Sequence, residues 1–302
     1  NSSVTSGTDG DLSRVSAGNL SKLFNSYGNL AAYVNMLPLR HRMVQDSSLS
    51  DTEAYRQYLT AYCKNYQPKF LSYDYYPFEW KTNVITNRGY TDTNEVNQYA
   101  YFKNLAIIRD VANEYQVPFW THIGSGDGFD VNSGGNQKVD GEWNPGKGKF
   151  KWQINVELAF GAKGIQYFPL VQPSGYELGN DGTAYYERNG LINKKGETNV
   201  WYAYAKEMNQ QIRNMDHVLM NSVNKGIMVT GGYASENMAA AKAYGMPLLD
   251  SFSLGGGNPT ITGLSTDETG DKTYGAIAGC FDYQGKSAVY VVNYNVEQAQ
   301  HI

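Results

Sequence analysis

The residues best suited to chemistry in this chain sit in the stretch Phe70-Leu71-Ser72-Tyr73-Asp74-Tyr75-Tyr76-Pro77-Phe78. Phe70, Leu71 and Tyr73 favour a pleated strand. Pro77 cannot donate to a ladder and biases Tyr76 away from helix, so a strand is predicted over 69–75 that stops by Tyr76. A strand that delivers a carboxylate and aromatics at its C-terminal end is what a parallel α/β active site is built from. Asp74 placed there can act as a nucleophile, as a base or as an acceptor for a substrate hydroxyl. An aspartate at a strand end also serves simply as a turn residue, so both roles stand for Asp74.

Other side chains cluster at comparable positions. Trp120 and His122 lie two residues apart on a strand predicted over 117–123, so they share a face. Trp120 is then a stacking platform or a filler of the interior, and His122 a donor to a hydroxyl. Asn35, Tyr76 and Gln166 fall near other predicted strand ends and suit hydroxyl recognition. Trp80 and Trp143 fall on loops after strands and suit the walls of a binding cleft. Glu79 reads as a loop residue, and Glu157 as a helical residue facing solvent or paired with a base. The four histidines, at 41, 122, 217 and 301, are scattered and predict no metal site. Asp127-Gly-Phe-Asp130 lacks the ligand ladder of a calcium loop. No Gly-x-Gly-x-x-Gly follows a strand, and Gly285-Lys286-Ser287 has Cys280 where a phosphate-binding loop needs its first glycine, which removes the common nucleotide sites; no cofactor is expected.

Composition narrows the ligand. The chain of 302 residues has 25 Tyr, 5 Trp and 32 Gly, with many tyrosines beside Asn, Gln and Gly. Aromatic faces stack on the C–H faces of sugars while neighbouring amides bond the hydroxyls; tyrosines also fill large cores. Net charge is −4 with no basic run, so nucleic acid and membrane surfaces are not expected partners. No stretch approaches the ~20 apolar residues of a membrane span. Cys63 and Cys280 match no metal or redox spacing and read as buried thiols.

The elements that must position these residues alternate. A strand over 31–37, broken by Pro38, is followed by a helix over 51–66 capped by Ser50 or Asp51. The strand at 69–75 leads to a helix from about Asn94 to Tyr115, and the strand at 117–123 to a loop over 124–149. A helix over 151–161, a strand over 164–169, a loop over 171–188 and a helix from about Val200 to Leu219 complete the pattern. Strand–helix alternation at this spacing implies right-handed βαβ units and a parallel sheet. Four such units make half of a (β/α)8 barrel or a short doubly wound sheet. From about Lys225 the character changes to a smaller β-rich region over 226–302, with a hairpin turning at Tyr283-Gln-Gly-Lys286.

Six segments, in order, carry a family likeness: Tyr33-Val-Asn-Met-Leu-Pro38, Leu71-Ser-Tyr-Asp-Tyr-Tyr-Pro77, Tyr101-Phe-Lys-Asn-Leu with Arg109, Val117-Pro-Phe-Trp120, Leu158 through Phe168, and Gly190 through Thr198. As a set they resemble bacterial glycoside hydrolases with a TIM-barrel catalytic domain, near the family 42 and family 5 clan. The resemblance implies that residues 1–225 are the second half of the barrel, strands five to eight, and that 226–302 belong to a β-domain that follows it. It implies hydrolysis of an oligo- or polysaccharide through two carboxylates at the barrel rim, and an extracellular or cell-surface bacterial setting. Such enzymes carry an acid/base glutamate at the end of strand four, often in Asn-Glu-Pro, which does not occur here; the expectation is that this glutamate lies outside the chain, in a missing N-terminal half. The usual nucleophile position reads Trp120-Thr121-His122, which leaves Asp74 as the carboxylate of choice. The alternative is a non-catalytic carbohydrate-binding or surface protein on a degenerate barrel.

Overall fold

Ser50 opens the first long helix by a reciprocal exchange: its hydroxyl oxygen accepts from the Glu53 amide, and the Glu53 carboxylate accepts from the Ser50 amide. The computed structural model describes residues 19, 23, 26–39, 44, 48–77, 94–126, 138–139, 142–143, 147–171, 177–178, 185–186, 190–231, 248–254, 259–266 and 275–294. In it helix α1 spans Asp51–Tyr66 and ends at Gln67, whose φ of 47° is left-handed and whose amide bonds back to Cys63. It connects strand β1, Asn35–Met36, to strand β2, Leu71–Asp74. Helix α2, Asn94–Glu114, then leads to β3, Phe119–Gly124. Two short pairs follow the parallel strands: β4 (Lys138–Val139) with β5 (Glu142–Trp143), and β7 (Glu177–Leu178) with β8 (Tyr185–Tyr186). Between them lie helix α3, Lys147–Ala159, and strand β6, Gly164–Phe168.

Strands β1, β2, β3 and β6 form one parallel sheet in that order. The order never reverses along the chain. One face of the sheet is apolar and packs on the helices: Met36, Leu71, Tyr73 and Phe119 meet Tyr55 and Leu59 of α1, Phe102, Leu105 and Ile108 of α2, and Trp152 and Val156 of α3 in one buried cluster. A strand or helix lies within each of these predicted segments, although the strand expected over 31–37 is reduced to Asn35–Met36. The helix expected over 151–161 starts four residues earlier, at Lys147, inside what reads as loop sequence.

Helix α4, Val200–Met220, is capped by Asn199, whose side chain accepts from the Trp201 and Tyr202 amides. Strand β9, Ser222–Thr230, follows at once, which the change of character at Lys225 does not announce. It pairs with β10 (Ala276–Tyr283), which pairs with β11 (Lys286–Asn293), in an antiparallel sheet of order β11-β10-β9. The predicted hairpin is present, with Gln284 at φ 53° and Gly285 at φ 79°, the paired left-handed values of a type I′ turn. Ile227, Ile277 and Val292 of this sheet enter the same buried cluster as the parallel sheet and its helices. Cys63 and Cys280 are buried free thiols, as read from the sequence.

Candidate active site

Parallel register turns the alternation of side chains into rows. Asn35, Ser72, Trp120 and Gly164 are Cα partners across the sheet. Asp74, His122 and Gln166 form the next row toward the strand C-termini. In a strand, residues two apart share a face, so both rows project from the face turned away from the helices. That face is polar and open: Tyr33 and Asn35 are exposed, Asp74, His122 and Gln166 half-buried, and Ser72 alone fully buried.

The polar side chains are joined. Asn35 Nδ2 donates to Asp74 Oδ1 at 2.8 Å, holding the carboxylate by its amide. Gln166 Nε2 donates to Ser72 Oγ at 3.3 Å, and Ser72 Oγ lies 3.1 Å from the Tyr33 hydroxyl and 3.3 Å from Asn35 Oδ1. His122 Nδ1 is 3.2 Å from the Tyr73 carbonyl, and its Nε2 is 2.9 Å from the Tyr33 hydroxyl. Of the residues singled out in the sequence, Asn35, Asp74, His122 and Gln166 thus come together. Tyr33 and Ser72 complete the network and were missed. Their signal was available as the positions two before Asn35 and two before Asp74, on the same face.

Trp120 belongs to the lower row. Its ring stacks on Phe70 with centroids 4.1 Å apart and planes 10° off parallel, and it covers Gly164, where an added Cβ would lie 2.5 Å from the indole. Phe70 precedes Ser72 on the same face, so the indole leans toward the strand N-termini and one of its faces is taken. Exposed aromatic surface at this face comes instead from Tyr33, whose ring centroid lies 6.3 Å from that of His122, and from Tyr76 stacked against Phe168, with centroids 6.1 Å apart and Phe168 45% exposed. Trp80, Glu79 and the Asp127–Asp130 stretch lie outside the described residues. Trp143 falls on β5, of whose side chains nothing is described. Among the described residues no group of three or more His, Cys, Asp or Glu can hold a metal ion, and no helix is long and apolar enough to cross a membrane.

On the opposite face, directly behind the site, lies a second carboxyl. Glu157 does not face solvent or pair with a base, as its helical position suggested. It is fully buried, and its Oε1 accepts from the Tyr101 hydroxyl at 2.8 Å. Burial pushes its carboxyl up to about 8, against smaller opposing pulls from the Thr121 and Tyr101 hydroxyls. Burial likewise holds the Tyr73 and Tyr101 phenols well above their usual range. Glu157 is separated from Asp74 by the sheet itself, so it cannot serve as the second carboxylate of one site.

No protein-family model matches this chain, and no curated protein matches it.

Proposed function

We propose that this chain is part of a glycoside hydrolase whose parallel sheet is an arc of a (β/α)8 barrel, acting on an oligo- or polysaccharide at the C-terminal ends of its strands. The strand order supports the barrel over a doubly wound sheet. In a doubly wound sheet the order reverses and helices cover both faces, whereas here the order runs β1-β2-β3-β6 and the helices pack on one face. The observation that carries the activity is Asp74: a carboxylate oriented by the Asn35 amide, set in register beside His122 and Gln166 on an open polar face, and rimmed by the Tyr76–Phe168 pair. A pyranose offers the matching surface, hydroxyls for the amides and an apolar face for the rings.

Asp74 is the one carboxylate among the described residues of that face. This favours, as a second reading, a protein that binds carbohydrate without cleaving it. One experiment separates the two. Asp74→Asn keeps the fold and lowers hydrolysis of a glycan that the wild type cleaves by at least about a hundredfold. Unchanged turnover removes Asp74 from the mechanism, and glycan binding without any wild-type turnover establishes the non-catalytic reading.

A further inference from the structure

The Tyr33–His122 contact has the geometry of a proton-handling pair. A carbonyl oxygen only accepts, so the 3.2 Å contact to the Tyr73 carbonyl requires a proton on His122 Nδ1. In the neutral ring Nε2 is then an acceptor, and the Tyr33 hydroxyl donates to it at 2.9 Å. In the imidazolium both nitrogens donate, and the same two partners, the Tyr73 carbonyl and the Tyr33 oxygen, accept. The ring can therefore take up or release a proton without losing a hydrogen bond or moving. Tyr33 is 49% exposed, so it stands on the open side of the network and His122 on the more covered side. The Ser72 hydroxyl, itself receiving the Gln166 amide, lies 3.1 Å from the Tyr33 oxygen and helps fix its position. A reactive hydroxyl, a base in hydrogen-bond reach of it, and a third group that orients the base are the three parts of an activated side chain.

We propose that Tyr33 and His122 together are the acid/base of this site, the role for which no second carboxylate is present among the described residues of the face. The inference rests on the glycosidase reading and deepens it. In the first half-reaction an Asp74 carboxylate oxygen attacks the anomeric carbon as the glycosidic C–O bond breaks. The bonding electrons go to the leaving oxygen, which takes the Tyr33 hydroxyl proton while the His122 Nε2 proton passes to the Tyr33 oxygen. This leaves a glycosyl ester on Asp74 and a neutral imidazole. In the second half-reaction water gives a proton to the Tyr33 oxygen as the phenol proton returns to Nε2. The water oxygen bonds the anomeric carbon, and the Asp74 carboxylate departs. The cycle closes with the imidazolium restored, and the product retains its anomeric configuration.

The test uses the whole protein of which this chain is part, with two series of probes, methyl glycosides and 2,4-dinitrophenyl glycosides of a panel of common pyranoses. A methyl glycoside needs its leaving oxygen protonated, whereas dinitrophenolate leaves unaided. Tyr33→Phe keeps the ring and removes only the hydroxyl, and His122→Gln removes the base. The expected result is that both variants lose at least about a hundredfold on the methyl glycoside. Read as kcat/KM, which reports the glycosylation step for both substrates, the loss on the dinitrophenyl glycoside is smaller by tenfold or more. A loss of equal size on both leaving groups in both variants overturns the acid/base pair and leaves the glycosidase reading standing. Absence of wild-type turnover on every member of both series overturns the glycosidase reading and the pair with it. Using both variants guards against one failing to fold, since Tyr33 is exposed and His122 half-buried.

Discussion

Desolvation in the layer between sheet and helices holds the Glu157 carboxyl protonated up to about pH 8, while the same group in the unfolded chain ionises near 4.5. A folded-state value raised above the unfolded one means that stability from this group is full below about pH 4.5, declines as pH rises, and is lost above about 8. Each pH unit in that window costs about 1.4 kcal/mol, so the whole span amounts to roughly 4 to 5 kcal/mol. The expected outcome is a wild-type melting temperature that falls from pH 5 to about pH 8 and levels off toward pH 9. Glu157→Gln keeps a partner for the Tyr101 hydroxyl and carries no charge, so its curve is flatter across the same range. Denaturant titrations of both proteins at pH 5, 7 and 9 check this, and parallel curves would show that Glu157 does not govern the dependence. The adjoining Glu157 Oε2, Thr121 Oγ1 and Tyr73 hydroxyl have no well-formed hydrogen bond, which adds to the cost of charging this interior.

Between elements, the tightest junction is where β9 and β10 meet the C-terminal end of α3. Asn224 of β9 donates from its amide to the Ala159 carbonyl at 2.8 Å and accepts from buried Arg109 of α2 at 3.2 Å, while Asn113 donates to the Asn224 carbonyl at 3.0 Å. Arg109 in turn holds Asp110 at 2.8 Å. The Asn224 amide satisfies the Ala159 carbonyl, which the end of the helix leaves without an intrahelical partner. Gly279 of β10 crosses the same point so closely that an added Cβ would lie 2.0 Å from the Ala159 oxygen. That oxygen is backbone and cannot swing aside. Gly279→Ala is therefore expected to destabilise the protein by at least about 2 kcal/mol, as overpacking does when the neighbour is rigid. Urea unfolding measures it; a change within about 0.5 kcal/mol, the range of neutral surface substitutions, would mean that the strand can shift off the helix freely.

Across the molecule, the two sheets share one interior. Phe102 and Trp152 from the helices touch Tyr294, which lies just beyond β11, and Ile277 of β10 is fully buried in the cluster that also holds Leu71 and Tyr73 of β2. A shared core predicts a shared transition. Ile277→Ala opens a cavity in the antiparallel sheet and is expected to cost about 3 kcal/mol. Because the core is common, the loss should appear to the same extent in tryptophan fluorescence, to which buried Trp152 and Trp201 contribute, and in far-ultraviolet circular dichroism. Two separated transitions, with only one of them moved by Ile277→Ala, would show that the sheets unfold independently.

Local pattern carried the parallel half of the fold. The alternation of apolar runs, the Ser50–Glu53 pair and the breaks at Pro38 and Pro77 placed α1, α2 and the four parallel strands within a few residues, because propensity and patterning are short-range. The number and spacing of the cysteines likewise indicated buried thiols. What tertiary structure decided is which of these side chains meet. Trp120 and His122 share a strand face, yet the indole packs down on Phe70 while the imidazole reaches Tyr33, 89 residues away in sequence. Glu157 sits on a helix of mixed pattern, and only the packing of α2 against α3 puts its carboxyl beside Tyr101 rather than in water. Register across a sheet and the side of a helix that is covered are long-range quantities. No window of residues contains them, so the rows that make the site could be read only after the strands had been set side by side.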